Sequence, residues 1–199
     1  MVLTSHDAWI FDLDGTLTVD MHDFREIQRR LGLKDDAKLL EYLDALPVEQ
    51  AKPLREILEA WELEVAQKSV AKPFARELLC DLRERGHRFG ILTRNAASHA
   101  RVTLEAAGLA EFFPEDVLIA RDHLPPKPNP HGIQHLMTHF QARPERTVMI
   151  GDYVFDLEAG RAAGVTTVHV DVNGVFAWPQ HADLMIRCLS ELRPYLRRG

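Results

Sequence analysis

The chain has 199 residues, of which 46% are hydrophobic and 27% are charged, and its formal net charge is −6. This is the composition of a globular protein with one core, with or without a small accessory domain, and the acidic balance argues against nucleic acid or an anionic membrane surface as a partner. No apolar stretch approaches the length that spans a bilayer, and the first residues do not have the pattern of a secretory signal, so a cytoplasmic protein is predicted.

The first predicted element is an apolar run from Ala8 to Leu13, which is typical of a buried parallel strand. Asp12 and Asp14 lie at its end, and Gly15 follows them. Side chains at i and i+2 of a strand share a face, so a cation or a shared proton is needed to offset the repulsion between the two carboxylates. Mg²⁺ binds such oxygen ligands together with a substrate phosphate, which indicates a phosphoryl-transfer site. The same residues also fit a simple turn in which Asp caps the next helix.

The segment 19–72 has helical patterns and no strand signal. Its apolar residues form three stripes at helical spacing, namely Phe24, Ile27 and Leu31, then Leu39, Leu40 and Leu43, then Leu54, Ile57, Leu58, Trp61 and Val65. Asp35 and Asp36 precede the second stripe as acidic caps. Three helices inserted after the first strand cannot lie within a sheet, so we predict a small helical domain at 19–72 and a core formed by 1–18 and 73–199.

After residue 72 the pattern alternates between helices and strands. Helices are predicted at 73–85, 96–107, 130–140 and 155–163, and strands at 87–93, 117–120, 147–150 and 166–170, followed by an edge strand at 184–186 and a short helix at 191–196. Alternation with short links favours an α/β fold, a Rossmann-like parallel sheet with helices on both faces. Cys80 and Cys188 lie among apolar residues and are expected to be buried, reduced thiols.

Further polar side chains lie where the later strands are predicted to end. Thr93 is placed to bind a phosphoryl oxygen or to cap a helix. Lys127 lies between prolines that restrict its backbone, which suits a fixed phosphate-binding ammonium, although an incidental surface lysine fits as well. Asp152 follows the strand 147–150 and Asp156 lies one helical turn later, and capping alone does not require both acids. Ligands bind at the carboxyl edge of open α/β sheets, so these side chains are predicted to form one site.

Taken in chain order, these residues resemble the motifs of the haloacid dehalogenase superfamily. The matches are Asp12-Leu13-Asp14-Gly15-Thr16 to its first motif, Thr93 to its second, Lys127 to its third, and Gly151-Asp152 with Asp156 to its fourth. The helical insert is similar to the small α-helical cap of one large branch. Within that branch, the chain is most similar to the phosphoglycolate phosphatase-like enzymes.

The resemblance implies roles for the residues that carry it. Asp12 is expected to be the nucleophile, and Asp14 the general acid and base. Thr93 and Lys127 are expected to hold the phosphoryl oxygens. Relatives place Asn or a small residue directly after the threonine, whereas this chain has Arg94 there. We therefore carry the substrate-binding role over to Asn95. Arg94 is expected to project outward, and the alternative is that it adds a positive group to the substrate site.

The resemblance also implies a metal site. Mg²⁺ is expected to be held by Asp12, by the backbone carbonyl of Asp14 and by Asp152, with Asp156 orienting Lys127 or a metal-bound water. Substrate choice is expected to come from the cap. The basic residues of its first helix are expected to form a solvated face more readily than a carboxylate-binding site; they are Arg25, Arg29 and Arg30.

These observations predict a Mg²⁺-dependent phosphatase that hydrolyses a small phosphorylated metabolite through an aspartyl-phosphate. A sugar phosphomutase would use the same acids and stays an alternative, whereas a dehalogenase would not need the metal-binding acids. A non-enzymatic phospho-acceptor module has its acids in a different order along the chain, and a non-catalytic scaffold would not need every motif intact. The sequence leaves the oligomeric state open between monomer and dimer.

Overall fold

The computed structural model describes residues 3–21, 23–33 and 39–196. Within them, six strands form one sheet: β1 (Ala8–Phe11), β2 (Arg88–Leu92), β3 (Leu118–Ile119), β4 (Thr147–Gly151), β5 (Thr166–Val170) and β6 (Leu184–Ile186). Their order is β3-β2-β1-β4-β5-β6, and every pairing is parallel. The predicted α/β fold with a Rossmann-like parallel sheet is confirmed.

Helices alternate with the strands after β1. The α-helices are α1 (Phe24–Arg30), α2 (Leu39–Ala45), α3 (Val48–Gln67), α4 (Ala75–Glu84), α5 (Ala97–Ala106), α6 (His131–Phe140) and α7 (Val154–Ala162). Short 3₁₀ helices occur at Leu3–Ser5, Ala110–Phe112, Glu115–Val117, Pro144–Arg146, Pro179–His181 and Leu189–Tyr195. The last of these replaces the predicted helix at 191–196, and Pro194 inside it lacks the N–H that a longer α-helix would need. No helix in the described ranges has the length and apolar character to cross a membrane.

Strand β1 lies at the centre of the sheet because all four of its side chains are apolar. Each is fully buried, and the strand pairs with β2 on one side and β4 on the other. A strand covered on both faces needs a continuous apolar run rather than an alternating one. Helices α4 and α6 pack against β2, and α7 packs against β4 and β5. The carboxyl ends of β1 and β4 therefore lie side by side in the middle of one edge.

The helical insert has a hydrophobic cluster of its own. The cluster is formed by buried residues of α1, α2 and α3 and by the residue that directly follows α1, namely Ile27, Leu31, Leu39, Leu43, Leu58 and Trp61. Ile57 was predicted to join it but is 40% exposed, because it lies beside the narrow stripe of Leu58 and Trp61. The predicted caps Asp35 and Asp36 lie outside the described residues.

Two chain segments that lie side by side connect this insert to the sheet. Thr18 and Ala71 form an antiparallel bridge, and the Val19 amide donates to the Val70 carbonyl at 3.0 Å. The Lys72 amide donates to a carbonyl of the first segment at 2.8 Å. The insert therefore leaves and rejoins the core through one hydrogen-bonded neck, while the domain boundaries at 19 and 72 stay a prediction.

Both cysteines are free thiols, but the expectation that they are buried is wrong. Cys80 on α4 and Cys188 before the last 3₁₀ helix are each half-buried. Cys80 lies beside the fully buried Leu78, Leu79 and Leu82, which form the inner stripe of the amphipathic helix. Apolar neighbours in sequence therefore did not make either thiol fully buried, although Cys80 still packs against the core.

Candidate active site

Acidic side chains from two adjacent strand ends meet at the centre of the sheet edge. Asp12 follows β1, and its amide extends the pairing with β4 by donating to the Ile150 carbonyl at 2.9 Å. Asp152 follows β4, and Asp156 lies in the first turn of α7. Carboxylate oxygens of Asp12, Asp152 and Asp156 lie within 4.8 Å of one another. This acidic cluster, as we call these three carboxylates, could hold a metal ion.

Lys127 lies inside this arrangement. Its Nζ is 2.6 Å from Asp12 Oδ1 and 2.5 Å from Asp156 Oδ1, and only 3% of its side chain is exposed. The alternative of an incidental surface lysine is therefore wrong. Burial by itself would lower the pKa of Lys127, but the two carboxylates raise it above its ordinary value. The ammonium is thus held charged at the centre of the site.

The acidic cluster carries more negative charge than Lys127 can offset. Three carboxylates and one ammonium sum to −2 when all are ionised. Burial, together with the charges of Asp12 and Asp156, raises the pKa of Asp152 to about 8. Burial also raises the pKa of Asp156, to about 6, against the opposing effect of Lys127. Such a set of oxygen donors is stabilised by a divalent cation.

The Asp14 carboxylate is not part of the acidic cluster. Asn95 Nδ2 donates to Asp14 Oδ2 at 2.6 Å, and Thr18 Oγ1 donates to Asp14 Oδ1 at 3.3 Å. The first contact comes from the loop after β2 and the second from the turn after β1. The side chain is therefore oriented from two directions, in the way that a proton-transferring group requires.

Thr93 does not cap a helix, so this alternative to phosphate binding is wrong. It lies directly after β2, is 2% exposed, and its hydroxyl accepts a hydrogen bond from the Asn95 amide at 3.1 Å. Helix α5 begins after Ala96, and the Ala97 amide donates instead to Asp122 Oδ1 at 3.0 Å. The Thr93 hydroxyl thus shapes the 93–95 loop, which also carries Asn95 to Asp14.

Two residues that contact the site had no role in the sequence analysis, although one of them, Thr16, belongs to the first motif. Thr16 Oγ1 donates to Asp152 Oδ1 at 2.9 Å, and Lys72 Nζ donates to the Gly15 carbonyl. The charge of Lys72 also lowers the pKa of Asp152, against the larger effect of burial. The position of Thr16 at the end of the first motif could have indicated a contact with the site. Lys72 gave no local signal, since the helical insert separates it from that motif.

Gly15 is required by both its backbone and its surroundings. Its φ is +83°, and a Cβ atom at this position would lie 2.3 Å from Asp152 Oδ2. Any side chain would therefore be strained and would also push Asp152 out of place. The turn after β1 and the end of β4 can approach each other only with glycine here.

We expect Gly15→Ala to destabilise the fold by at least about 1 kcal/mol more than Gly86→Ala. Gly86 is a matched control because its φ is +72° and a Cβ there would meet nothing within 4 Å. Both variants therefore have the cost of a positive φ, but only Gly15→Ala adds the clash with Asp152. Thermal or urea unfolding of the two variants measures the difference. Equal losses of stability would show that the contact with Asp152 is unimportant.

The remaining basic residues of the prediction lie apart from the acidic cluster. The guanidinium carbon of Arg94 lies 4.6 Å from the centroid of the Phe155 ring, so this half-buried side chain packs on α7 rather than simply projecting outward. The basic side chains of α1 are exposed: Arg25, Arg29 and Arg30. Arg30 pairs with Glu26 on the same helix at 2.6 Å, as expected for a solvated face.

The structure combines a parallel sheet, an acidic edge and an inserted helical unit. Comparison with known proteins identifies the class of hydrolase that has these features. The chain belongs to the haloacid dehalogenase-like hydrolase family, whose family model matches residues 22–170. It is 27% identical to the phosphoglycolate phosphatase of Nitrosococcus oceani, with all of both chains covered. It is also 27% identical to an uncharacterized hydrolase of Saccharomyces cerevisiae, over 93% of this chain and 88% of that one.

A solved structure supports the same fold. The crystal structure of a predicted phosphoglycolate phosphatase from Haemophilus somnus superposes with a TM-score of 0.78, at 19% identity, over 96% of this chain and 98% of that one. At this identity the likeness establishes the fold. The hydrolase family itself confirms the prediction of an enzyme over a phospho-acceptor module or a scaffold.

Proposed function

We propose that the protein is a Mg²⁺-dependent phosphatase that hydrolyses a small phosphorylated metabolite through an aspartyl-phosphate intermediate. The observation that carries this proposal is the buried ammonium of Lys127, held between Asp12 and Asp156 within the acidic cluster. A cation fixed beside a carboxylate nucleophile is suited to a phosphoryl group, whose transfer depends mainly on positioning and charge. The phosphatase from Nitrosococcus oceani supports this class of reaction.

The residues present fit Mg²⁺. The three carboxylates that converge there offer oxygen ligands, and two of them have a raised pKa because they are buried and lie beside other negative charges. Asp12, Asp152 and the backbone carbonyl of Asp14 would hold the ion, with Asp156 beside them. Bound there, Mg²⁺ supplies the charge that reduces the repulsion between a carboxylate nucleophile and a phosphate.

The protein's own residues account for both half-reactions. In the first, an Asp12 carboxylate oxygen forms a bond to phosphorus, the ester P–O bond breaks, and Asp14 gives its proton to the leaving oxygen. In the second, Asp14 takes a proton from water, whose oxygen attacks phosphorus. The acyl-phosphate P–O bond then breaks, which releases phosphate and restores Asp12. Asn95 and Thr18, which bind Asp14, orient it in both steps.

Phosphate binding is assigned to the loops that surround Asp12. We assign the binding of the phosphoryl oxygens to Lys127, to the Thr93 hydroxyl and to the side-chain amide of Asn95. Lys127 suits this role because its charge is maintained by two buried carboxylates. As part of the same proposal, residues 19–72 form a cap over a core of 1–18 and 73–199, and the enzyme acts in the cytoplasm.

The proposal is tested by measuring phosphate release from p-nitrophenyl phosphate with Mg²⁺ and with a chelator. We expect turnover that requires Mg²⁺ and that is lost on chelation and restored by adding the ion. A panel of small phosphate esters then ranks substrates by kcat/KM. The proposal is wrong if none of these esters is hydrolysed by folded protein whose thermal unfolding shows that it binds Mg²⁺.

A further inference from the structure

Glu62 on α3 makes ionic contacts to the core rather than to its own helical unit. Its carboxylate accepts two hydrogen bonds from Arg121, one from each terminal nitrogen, at 3.0 and 2.9 Å. His99 Nδ1 on α5 lies 3.2 Å from the same carboxylate. Helix α3 packs along α5, so these contacts lie where the helical insert meets the core.

The ion pair of Glu62 and Arg121 is of a kind that fixes how the two elements that carry it are positioned. Only 11% of the Glu62 side chain and 24% of the Arg121 side chain are exposed, whereas the pair of Arg55 and Asp44 within the insert is 42% and 70% exposed. A forked, largely desolvated Arg–carboxylate pair is specific in direction, and removing one partner leaves a buried charge. An exposed pair contributes little. The contact between Glu62 and Arg121 therefore favours one docked position of α3.

Arg121 also holds the loop that reaches the acid–base residue. Its amide donates to the Asn95 carbonyl at 3.0 Å, and its guanidinium lies 3.5 Å from the Arg94 carbonyl. Asn95 in turn donates to Asp14 at 2.6 Å. A continuous set of contacts thus runs from the helical insert, through Arg121 and the 93–95 loop, to Asp14.

We propose that Glu62 and Arg121 are positioning residues that hold α3 docked on the core and keep the 93–95 loop where Asn95 binds Asp14. The docking depends only on the observed contacts, whereas its consequence for turnover rests on the proposed function. When the insert moves away, Arg121 loses its carboxylate partner and the loop loses a restraint. Docking of the insert and orientation of the acid–base residue are thereby coupled.

The test compares Glu62→Gln with the control Glu111→Gln, which removes the same charge from a more exposed side chain. Glu111 also accepts hydrogen bonds from two arginines, Arg76 and Arg83, but all three residues belong to the core. Electron paramagnetic resonance reports the distance between spin labels at Glu56→Cys on α3 and Glu105→Cys on α5, both exposed, with Cys80 and Cys188 replaced by Ala. Steady-state kinetics with p-nitrophenyl phosphate and Mg²⁺ give kcat and KM separately.

We expect Glu62→Gln to lengthen and broaden the distance distribution and to lower kcat by about tenfold, with a smaller change in KM. Arg121→Lys keeps the charge but loses the fork, so it should act in the same direction. The double variant should be no more impaired than the worse of the two single variants, because each substitution breaks the same contact between Glu62 and Arg121. Glu111→Gln should match the wild type in distance, kcat and KM.

Two results would overturn parts of this inference, and a third would overturn the proposed function alone. An unchanged distance in Glu62→Gln rules out the docking role, and if that variant does not fold, an unchanged distance in Arg121→Lys does so. A changed distance with wild-type kcat and KM rules out the coupling to Asp14. If the folded wild type binds Mg²⁺ but releases phosphate from none of the esters of the panel, the proposed function fails, and the distance measurement still decides whether Glu62 docks the insert.

Discussion

Replacing Asp12 with Asn is expected to lower phosphate release by a factor on the order of 10⁴ or more, which is the scale of effect seen when a catalytic nucleophile is removed. The amide is nearly the same size as the carboxylate and can still accept a hydrogen bond from Lys127, which lies 2.6 Å away in the wild type. Asp156 remains as the second partner of that ammonium. The fold should therefore survive, while the oxygen that forms the bond to phosphorus is lost.

Asp81→Asn is the control for this experiment. Asp81 also accepts a hydrogen bond from a cation, Arg193, at 2.8 Å, but on the core surface away from the acidic cluster. Phosphate release is measured for both variants under saturating Mg²⁺, with circular dichroism to confirm folding. A folded Asp12→Asn protein that keeps even a tenth of wild-type kcat would contradict the assignment of Asp12 as nucleophile.

Much of the fold could be predicted because its signals are local. Continuous apolar runs ending at polar residues located the strands; β5, for example, has the predicted bounds of 166 and 170. Alternation with helices then determined that the sheet is parallel, since such connections return each strand in the same direction. The short helix at 191–196 was less well predicted, because the Pro194 that breaks its hydrogen bonding lies within the predicted range.

The site was predictable only as far as strand ends could locate it. Parallel strands bring their carboxyl ends to one edge, which is why Asp12 and Asp152 could be expected to be neighbours. The pairing of Glu62 with Arg121 could not be anticipated, because it joins residues far apart in sequence. The same holds for Lys72, whose contact with Gly15 depends on how the neck closes. Side-chain partners of this kind follow from tertiary packing and leave no periodic pattern.

The acidic cluster also predicts a variant that is more stable than the wild type when metal is removed. Asp152→Asn takes one negative charge out of a buried group whose formal sum is −2. Thr16 can still donate its hydrogen bond to the amide oxygen at position 152. We expect a gain on the order of 2 kcal/mol at pH 8 in the presence of a chelator, or about 4–8 °C in the midpoint of thermal unfolding.

The pH dependence of this gain has a definite sign. The pKa of Asp152 is raised to about 8 in the folded protein, above its ordinary value of 3.8. The folded state therefore binds this proton more tightly than the unfolded state does. The resulting stability is fully present below pH 3.8 and is lost progressively as the pH rises to about 8. Asp152→Asn lacks this titration, so its advantage over the metal-free wild type should grow from pH 5 to pH 8.

Mg²⁺ should reverse the order of the two proteins. The ion stabilises the folded wild type by RT ln(1 + [Mg²⁺]/Kd), and the variant binds it more weakly because it lacks one of the carboxylates that hold it. Thermal unfolding at pH 5, 6, 7 and 8, with chelator and with Mg²⁺, measures both effects. A metal-free Asp152→Asn protein no more stable than the wild type at pH 8 would show that the cluster is not strained by its charge. A variant that still gains the full wild-type stabilisation from Mg²⁺ would show that Asp152 does not hold the ion. The expected pattern, a gain without metal and a loss with it, is that of carboxylates gathered at the cost of stability so that they can bind a cation.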